Sequence, residues 1–192
     1  WAADGFVVFT IDNRGSYNRG VAFEQAPYRN MGTPEMEDQL VGVKFLKSLP
    51  YVDGTRLGIH GWSYGGFMTT TMMSRAPGTF KVGIAGAPVI DWAMYEIMYT
   101  ERYMDTPKEN PQGYETANLV NHAQNVKGKF MLIHGTSDDV VVWQNTQAFL
   151  KKAIESGVQL DYFIYPGHGH GVGGKDRIHL MKKMTNYFKD NL

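Results

Sequence analysis

The sequence predicts an α/β fold in which a mostly parallel sheet carries helices on both faces. Three observations predict it. Short apolar, β-branched runs alternate with longer segments of helical period. Glycine, proline and Asx residues cluster at the junctions between them. One junction reads Gly61-Trp62-Ser63-Tyr64-Gly65, a strand-to-helix turn with a serine at its apex. A length of 192 residues suits one domain with a real core, and 43% hydrophobic and 20% charged residues are ordinary for a globular chain.

Taken in order, residues 6–11 form a β-branched run that reads as a buried strand, ending in the turn chemistry of Asp12-Asn13-Arg14-Gly15. A loop is expected through about residue 33. Thr33 then reads as an N-cap, with Pro34 at the first helical position and acids in the first turn. Met36, Leu40, Val43 and Leu46 recur at helical spacing, so a helix is expected to residue 48. Residues 56–62 read as a second strand, and 64–74 as a helix buried on most sides. Residues 82–86 read as a third strand, and 91–121 as patchy helix broken by Pro107 and Pro111. Strands at 130–134 and 160–165 bracket a helix over 144–156, which Gly157 ends. An amphipathic helix over 177–192 closes the chain.

Composition excludes several functions. The formal net charge is zero and no run of Lys or Arg occurs, so nothing points to nucleic acid. The absence of cysteine removes disulfides, thiol catalysis and thiolate metal sites, and leaves the compartment open. No stretch stays apolar for about 18 residues, so no membrane span is expected. The chain opens on Trp1 rather than Met and already reads as the middle of a polypeptide, so a piece of a longer protein is expected.

The Gly-x-Ser-x-Gly pattern has a mechanical basis. The strand turns sharply into a helix, the serine sits at the strained apex, and small flanking residues let the two backbones pass closely. Its hydroxyl is then exposed at the carboxyl end of the sheet, and the helix amino end faces developing negative charge. Average composition would produce the pattern by chance in about one such chain in twenty. The strand before it and the helix after it separate Ser63 from a bystander serine in a glycine-rich turn.

A serine nucleophile needs a base, and the base needs an orienting acid. In this type of fold the chain order is Ser, acid, His. The strand at 130–134 runs into Asp138 and Asp139, and the strand at 160–165 into His168 and His170. Spacing does not choose within either pair. His60 and His134 lie inside strands and read as buried core or supporting histidines, while His122 and His179 fall on surface segments.

Gly61-Trp62-Ser63-Tyr64-Gly65-Gly66 is similar to the nucleophile motif of the prolyl oligopeptidase clan of serine peptidases, especially its dipeptidyl peptidase IV branch. Tyr99-Thr100-Glu101-Arg102-Tyr103-Met104 and Leu132-Ile133-His134-Gly135-Thr136-Ser137-Asp138-Asp139 resemble the same branch. The run from Phe67 through Tyr103 looks closest to bacterial prolyl tripeptidyl aminopeptidases. The resemblance covers essentially the whole chain.

The resemblance implies an α/β-hydrolase fold, present as the C-terminal part of a catalytic domain over residues 1–192. It makes Asp138 the acid, as the first of the pair, and His170 the base, as the histidine before Gly171-Val172. It implies that Ser63, Asp138 and His170 cleave peptides after proline through an acyl-enzyme, with no metal or cofactor. It makes the Tyr64 backbone N–H half of an oxyanion hole. Tyr64, Val89, Trp92, Tyr95, Tyr99 and Val141 would line a proline pocket, and Glu96 and Arg102 would also bind substrate. Flat aromatic walls suit a rigid pyrrolidine ring, although aromatics at helical spacing are by default ordinary core. Val140 stands where the dipeptidyl peptidase IV branch has asparagine, and Glu96 matches a position suited to the substrate amine in tripeptidyl members. Both lean toward the tripeptidyl type.

The resemblance further implies that the early strands, with a tyrosine donating the other half of the oxyanion hole, and an N-terminal β-propeller lie outside this chain. Losing one oxyanion donor costs about 10²–10³ in rate, so the isolated piece is expected to be nearly inactive. The parent is expected to be periplasmic or secreted, and homodimerisation is a family habit. Competing expectations are an acyl-peptide hydrolase or esterase on the same fold, and a non-catalytic relative. The tyrosines and tryptophan argue against the first, the retained serine and histidines against the second.

Overall fold

A computed structural model describes all residues, 1–192. Its centre is one sheet of four parallel strands: β1 (Gly58–Trp62), β2 (Val82–Gly86), β3 (Lys129–Gly135) and β4 (Asp161–Tyr165). They lie in the spatial order β1-β2-β3-β4. The helices are α1 (Val21–Glu24), α2 (Thr33–Ser48), α3 (Tyr64–Arg75), α4 (Ile97–Met104), α5 (Pro111–Ala117), α6 (Gln144–Glu155) and α7 (Gly174–Asn191). No helix is long and apolar enough to cross a membrane.

Alternation along the strands builds two apolar layers. Val82, Ile84, Met131 and Ile133 pack with Leu180, Met184 and Phe188 of α7. Ala85, Phe130 and Leu132 face the other way, toward Phe67, Met72 and Met73 of α3 and Phe149 of α6. Helix α3 is buried over most of its length, and its hydroxyls are satisfied internally. Thr70, Thr71 and Ser74 donate to the carbonyls of Gly66, Phe67 and Thr70 at 2.8, 2.8 and 2.7 Å. Because the strands are parallel, their carboxyl ends share one edge. The turns after all four, beginning near Ser63, Ala87, Thr136 and Pro166, meet there.

The structure corrects several expectations. Residues 6–11 are not a strand. The sheet ends at β1, and the segment makes no ladder with it. A β-branched run becomes a strand only when its backbone groups find a neighbour. Phe9 and Ile11 instead lie over Gly42 of α2, and Val7 and Val8 remain 55% and 57% exposed. The expected loop to residue 33 contains the single helical turn α1.

Gly32, not Thr33, caps α2. Its φ of 88° suits glycine, and its N–H donates to Glu35 Oε2 at 2.9 Å. The Thr33 hydroxyl is occupied elsewhere, accepting from Arg75 Nη2 at 2.9 Å. Helix α7 begins at Gly174, earlier than residue 177.

Candidate active site

Ser63 sits between β1 and α3 with φ 60° and ψ −117°, a conformation that costs a non-glycine residue about 1–3 kcal/mol. Two backbone bonds hold it: Ser63 N–H donates to Gly86 O at 2.9 Å, and Phe67 N–H to Ser63 O at 2.9 Å. The close approach the motif demands is that of Gly61 onto Gly65, where an added Cβ would stand 2.1 Å from Gly65 O. The second tight position is Gly66 rather than Gly65. A Cβ on Gly66 would stand 2.5 Å from Gly86 O, while one on Gly65 would meet nothing within 4 Å. The Tyr64 N–H lies in the first turn of α3, where amides lack intrahelical partners.

Asp138 lies in the turn after β3 with its side chain fully buried. Oδ1 accepts from Val140 and Val141 N–H at 3.0 and 2.9 Å. Oδ2 lies 2.9 Å from His170 Nδ1, in the turn after β4. Asp139 is exposed and makes no such bond. His168 is paired elsewhere, its Nε2 2.8 Å from Asp176 Oδ2. No hydrogen bond joins Ser63 Oγ to His170. The His170 turn is nevertheless docked beside the serine, because Trp62 Nε1 donates to His170 O at 2.7 Å. Apo sites often leave the nucleophile–base bond long until substrate arrives.

Three glycines bring these turns together. A Cβ on Gly86 would enter the Trp62 ring at 1.9 Å, and one on Gly135 would stand 2.3 Å from both His168 O and Gly169 O. Ser137 N–H also donates to His168 O at 2.9 Å. Gly61 is the third.

Trp92 is the hub of an aromatic group, with ring centroids 5.6 Å from Tyr64, 5.5 Å from Tyr95 and 5.9 Å from Tyr99. Val89, Trp92 and Val141 are buried in the larger core cluster, and Tyr64, Tyr95 and Tyr99 are half-buried against it. Asn145, fully buried, ties two of the contributing turns together. Its Oδ1 accepts from Ile90 and Asp91 N–H, and its Nδ2 donates to Val142 O. Glu96 is exposed and caps α4, accepting from Met98 N–H through Oε2 at 3.0 Å. Arg102 is exposed farther along α4, its guanidinium 5.6 Å from the Tyr103 ring centroid.

Sequence reasoning missed Glu35 as part of this site. It is 2% exposed and accepts the Tyr64 hydroxyl hydrogen on Oε1. Burial raises the Glu35 carboxyl, and burial together with Glu35 lifts the Tyr64 phenol well above its usual range. The tyrosine therefore keeps its proton and donates it. The capping-box spacing from Gly32 to Glu35 was the only signal in the chain, and it speaks of a helix start. Trp62 and Asn145 carried no signal beyond residue type.

Burial also pushes His60, His122 and His134 below the ordinary histidine range. Below about pH 6.5 the unfolded chain takes up protons that the folded one refuses, so stability falls as pH falls through that window. Glu35, raised by burial, acts in the opposite direction below its folded value, but it is one group against three. Thermal melts should give a lower Tm at pH 5.5 than at pH 7.5, by about 2–4 °C for each kcal/mol lost. An equal or higher Tm at pH 5.5 would contradict the reading that His134, which is buried, and His60 and His122, which are half-buried, are held neutral by the fold.

The whole chain, residues 1–192, matches the description of the prolyl oligopeptidase family of peptidases. The chain belongs to that family. Proteins similar to it include a Bacteroides ovatus chain assigned as a dipeptidyl aminopeptidase IV. That chain is 56% identical with a TM-score of 0.93, over 94% of this chain and 26% of that one. Porphyromonas gingivalis dipeptidyl peptidase 4 is 40% identical with a TM-score of 0.92, over 94% of this chain and 26% of that one. A probable dipeptidyl-aminopeptidase B of Aspergillus oryzae is 44% identical over 171 residues, 88% of this chain and 19% of that protein. The chain thus spans about a fifth of the curated relatives it matches. The four parallel strands are part of an α/β-hydrolase domain of this family, as the fold class read from the sequence requires.

Proposed function

We propose that the chain is the C-terminal catalytic part of a longer serine exopeptidase that releases N-terminal di- or tripeptides by cleavage after proline. The observation that carries the reading is the 2.9 Å contact of His170 Nδ1 with the buried Asp138 carboxylate, docked against the residue that precedes Ser63. His170 takes the proton of Ser63 Oγ as that oxygen attacks the prolyl carbonyl. Asp138 holds the imidazole in one tautomer and stabilises the imidazolium that forms. The Tyr64 N–H donates to the developing oxyanion. Collapse expels the peptide amine, which leaves with the proton from His170, and water then hydrolyses the ester on Ser63. The chemistry requires no metal or cofactor.

The proline ring would sit among Tyr64, Val89, Trp92, Tyr95, Tyr99 and Val141. Edge and face contacts there give a flat apolar slot without demanding a side-chain hydrogen bond. Glu96 uses only Oε2 in capping α4, which leaves Oε1 for a substrate ammonium, and Arg102 stands on the same helix for the peptide chain. A propeller domain, the second oxyanion donor, a homodimeric state and a periplasmic or secreted setting belong to the proposed longer protein.

The test is p-nitroaniline release by the full-length protein from Gly-Pro and Ala-Ala-Pro substrates. Cleavage of the tripeptidyl substrate alone would support the Glu96 argument. Cleavage of the dipeptidyl substrate alone would make Glu96 and Val140 incidental. Cleavage of neither, with fast hydrolysis of non-proline acyl substrates, would replace the post-proline reading with an acyl-peptide hydrolase or esterase.

A further inference from the structure

Behind the Asp138–His170 pair stands a second histidine that the proposed mechanism does not use. His134 lies near the end of β3 with its side chain fully buried. Its Nδ1 is 2.7 Å from Thr146 Oγ1 on α6. Its Nε2 is 2.9 Å from Val141 O and 3.2 Å from Asp138 Oδ2. Two acceptor oxygens flank Nε2, so the ring hydrogen belongs there, and Nδ1 accepts from the Thr146 hydroxyl. The opposite tautomer would aim a lone pair at a carbonyl and a carboxylate at once. Asp138 Oδ2 therefore takes the His170 N–H at the mouth of the site, while His134 stands behind it, its Nε2 hydrogen-bonded to Val141 O and 3.2 Å from that same carboxylate oxygen.

We infer that His134 is a positioning residue of the triad, holding the Asp138 carboxylate and the Val141 carbonyl so that the acid meets His170 in one orientation. The inference rests on the reading of Ser63, Asp138 and His170 as the catalytic triad. The arrangement is economical. Val141 donates its N–H to Asp138 Oδ1 and receives the His134 N–H on its carbonyl, so one ring closes the acid turn from both ends. Thr146, itself fully buried, fixes the ring from α6. Without His134, Oδ2 presents more negative charge to His170, and the Val141 turn that holds Oδ1 loses the donor on its carbonyl.

The charged and titratable groups acting on His134 are Asp138 and His170. Burial keeps His134 below its ordinary range, so it stays neutral where a peptidase of this kind would work.

The experiment compares His134→Leu, His134→Gln and Thr146→Val in the full-length enzyme, with rates divided by the concentration of Ser63 that a fluorophosphonate titrates. His134→Leu should lower kcat by about 10- to 100-fold, the cost of leaving the buried Val141 carbonyl beside the acid without its donor. It should also move the acid limb of the kcat/KM profile to higher pH, because His170 then holds its proton against a more negative carboxylate. A glutamine amide can reach where Nε2 stands, so His134→Gln should restore most of the rate and the limb. Thr146→Val should move the limb in the same direction by less.

A His134→Leu enzyme with wild-type kcat per titrated site and an unmoved limb would overturn the inference. Should that variant not fold, an unmoved limb in Thr146→Val overturns it. A Ser63→Ala control separates the two ideas. If that variant keeps wild-type turnover, the triad reading fails and takes this one with it. If turnover is lost and the limb stays still, this inference alone is wrong.

Discussion

Ser63→Ala should lower kcat of the full-length enzyme by about 10⁶-fold, with any remaining rate coming from binding and oxyanion stabilisation. The effect is this large because no other group supplies the bond to the acyl carbon. Ser63 is the residue held at φ 60° between β1 and α3, with its backbone tied at both ends. The strain fixes the hydroxyl at the carboxyl edge of the sheet, above the first turn of α3. Alanine can adopt the same backbone, so the variant should fold and melt like the parent. A fluorophosphonate should label the wild type once, on the peptide containing Ser63, and should not label the variant. Labelling elsewhere, or turnover retained in the variant, would remove Ser63 from the mechanism.

Asp138→Asn should cost about 10⁴-fold in kcat, and Asp139→Asn close to nothing. The two residues are neighbours in sequence and opposites in environment. Asp138 is buried with three hydrogen-bond donors on its two oxygens, the N–H groups of Val140 and Val141 on Oδ1 and His170 on Oδ2, and His134 Nε2 lies 3.2 Å behind Oδ2. An asparagine amide has one acceptor oxygen. Whichever way it turns, an NH₂ faces either two backbone N–H groups or the two imidazoles, and His170 is driven to the wrong tautomer. Asp139 is exposed and makes no hydrogen bond within the protein. The measurement is kcat for the two single variants at one pH, after checking that their melts match. Full activity in Asp138→Asn with loss in Asp139→Asn would show that the acid is the other residue.

Much of this was legible because it depends on local pattern. The strands β1, β2, β3 and β4 announce themselves as short, largely apolar runs set between turn residues. Helix α6 ends at Glu155, two residues before Gly157, whose φ of 74° suits glycine. The strand–Ser63–helix junction is a property of contiguous residues, and so is the identity of the two turns that carry carboxylates and histidines. The misreadings are equally instructive. Residues 6–11 have every local mark of a strand, yet strand formation is settled by a neighbour. Thr33 has the chemistry of an N-cap, but Gly32 beside it can take a positive φ, and Arg75 from α3 claims the threonine hydroxyl.

By itself, then, the sequence determined the fold class, the strand–Ser63–helix turn and the two turns that carry the candidate acids and bases. Composition, periodicity and turn chemistry act over a few residues and need no knowledge of what lies across the sheet. Spacing chose within neither pair and the resemblance named Asp138 and His170; the tertiary structure decided that these two side chains meet. Asp138 and His170 are 32 positions apart, and they are joined because parallel strands deliver both turns to one edge. Gly135 lets those turns touch backbone to backbone. Glu35 under Tyr64, Trp62 on the His170 carbonyl and His134 behind Asp138 are likewise pairings across the fold. Hydrogen bonds reach about 3 Å, and no spacing rule along a chain can say which distant side chains will come that close.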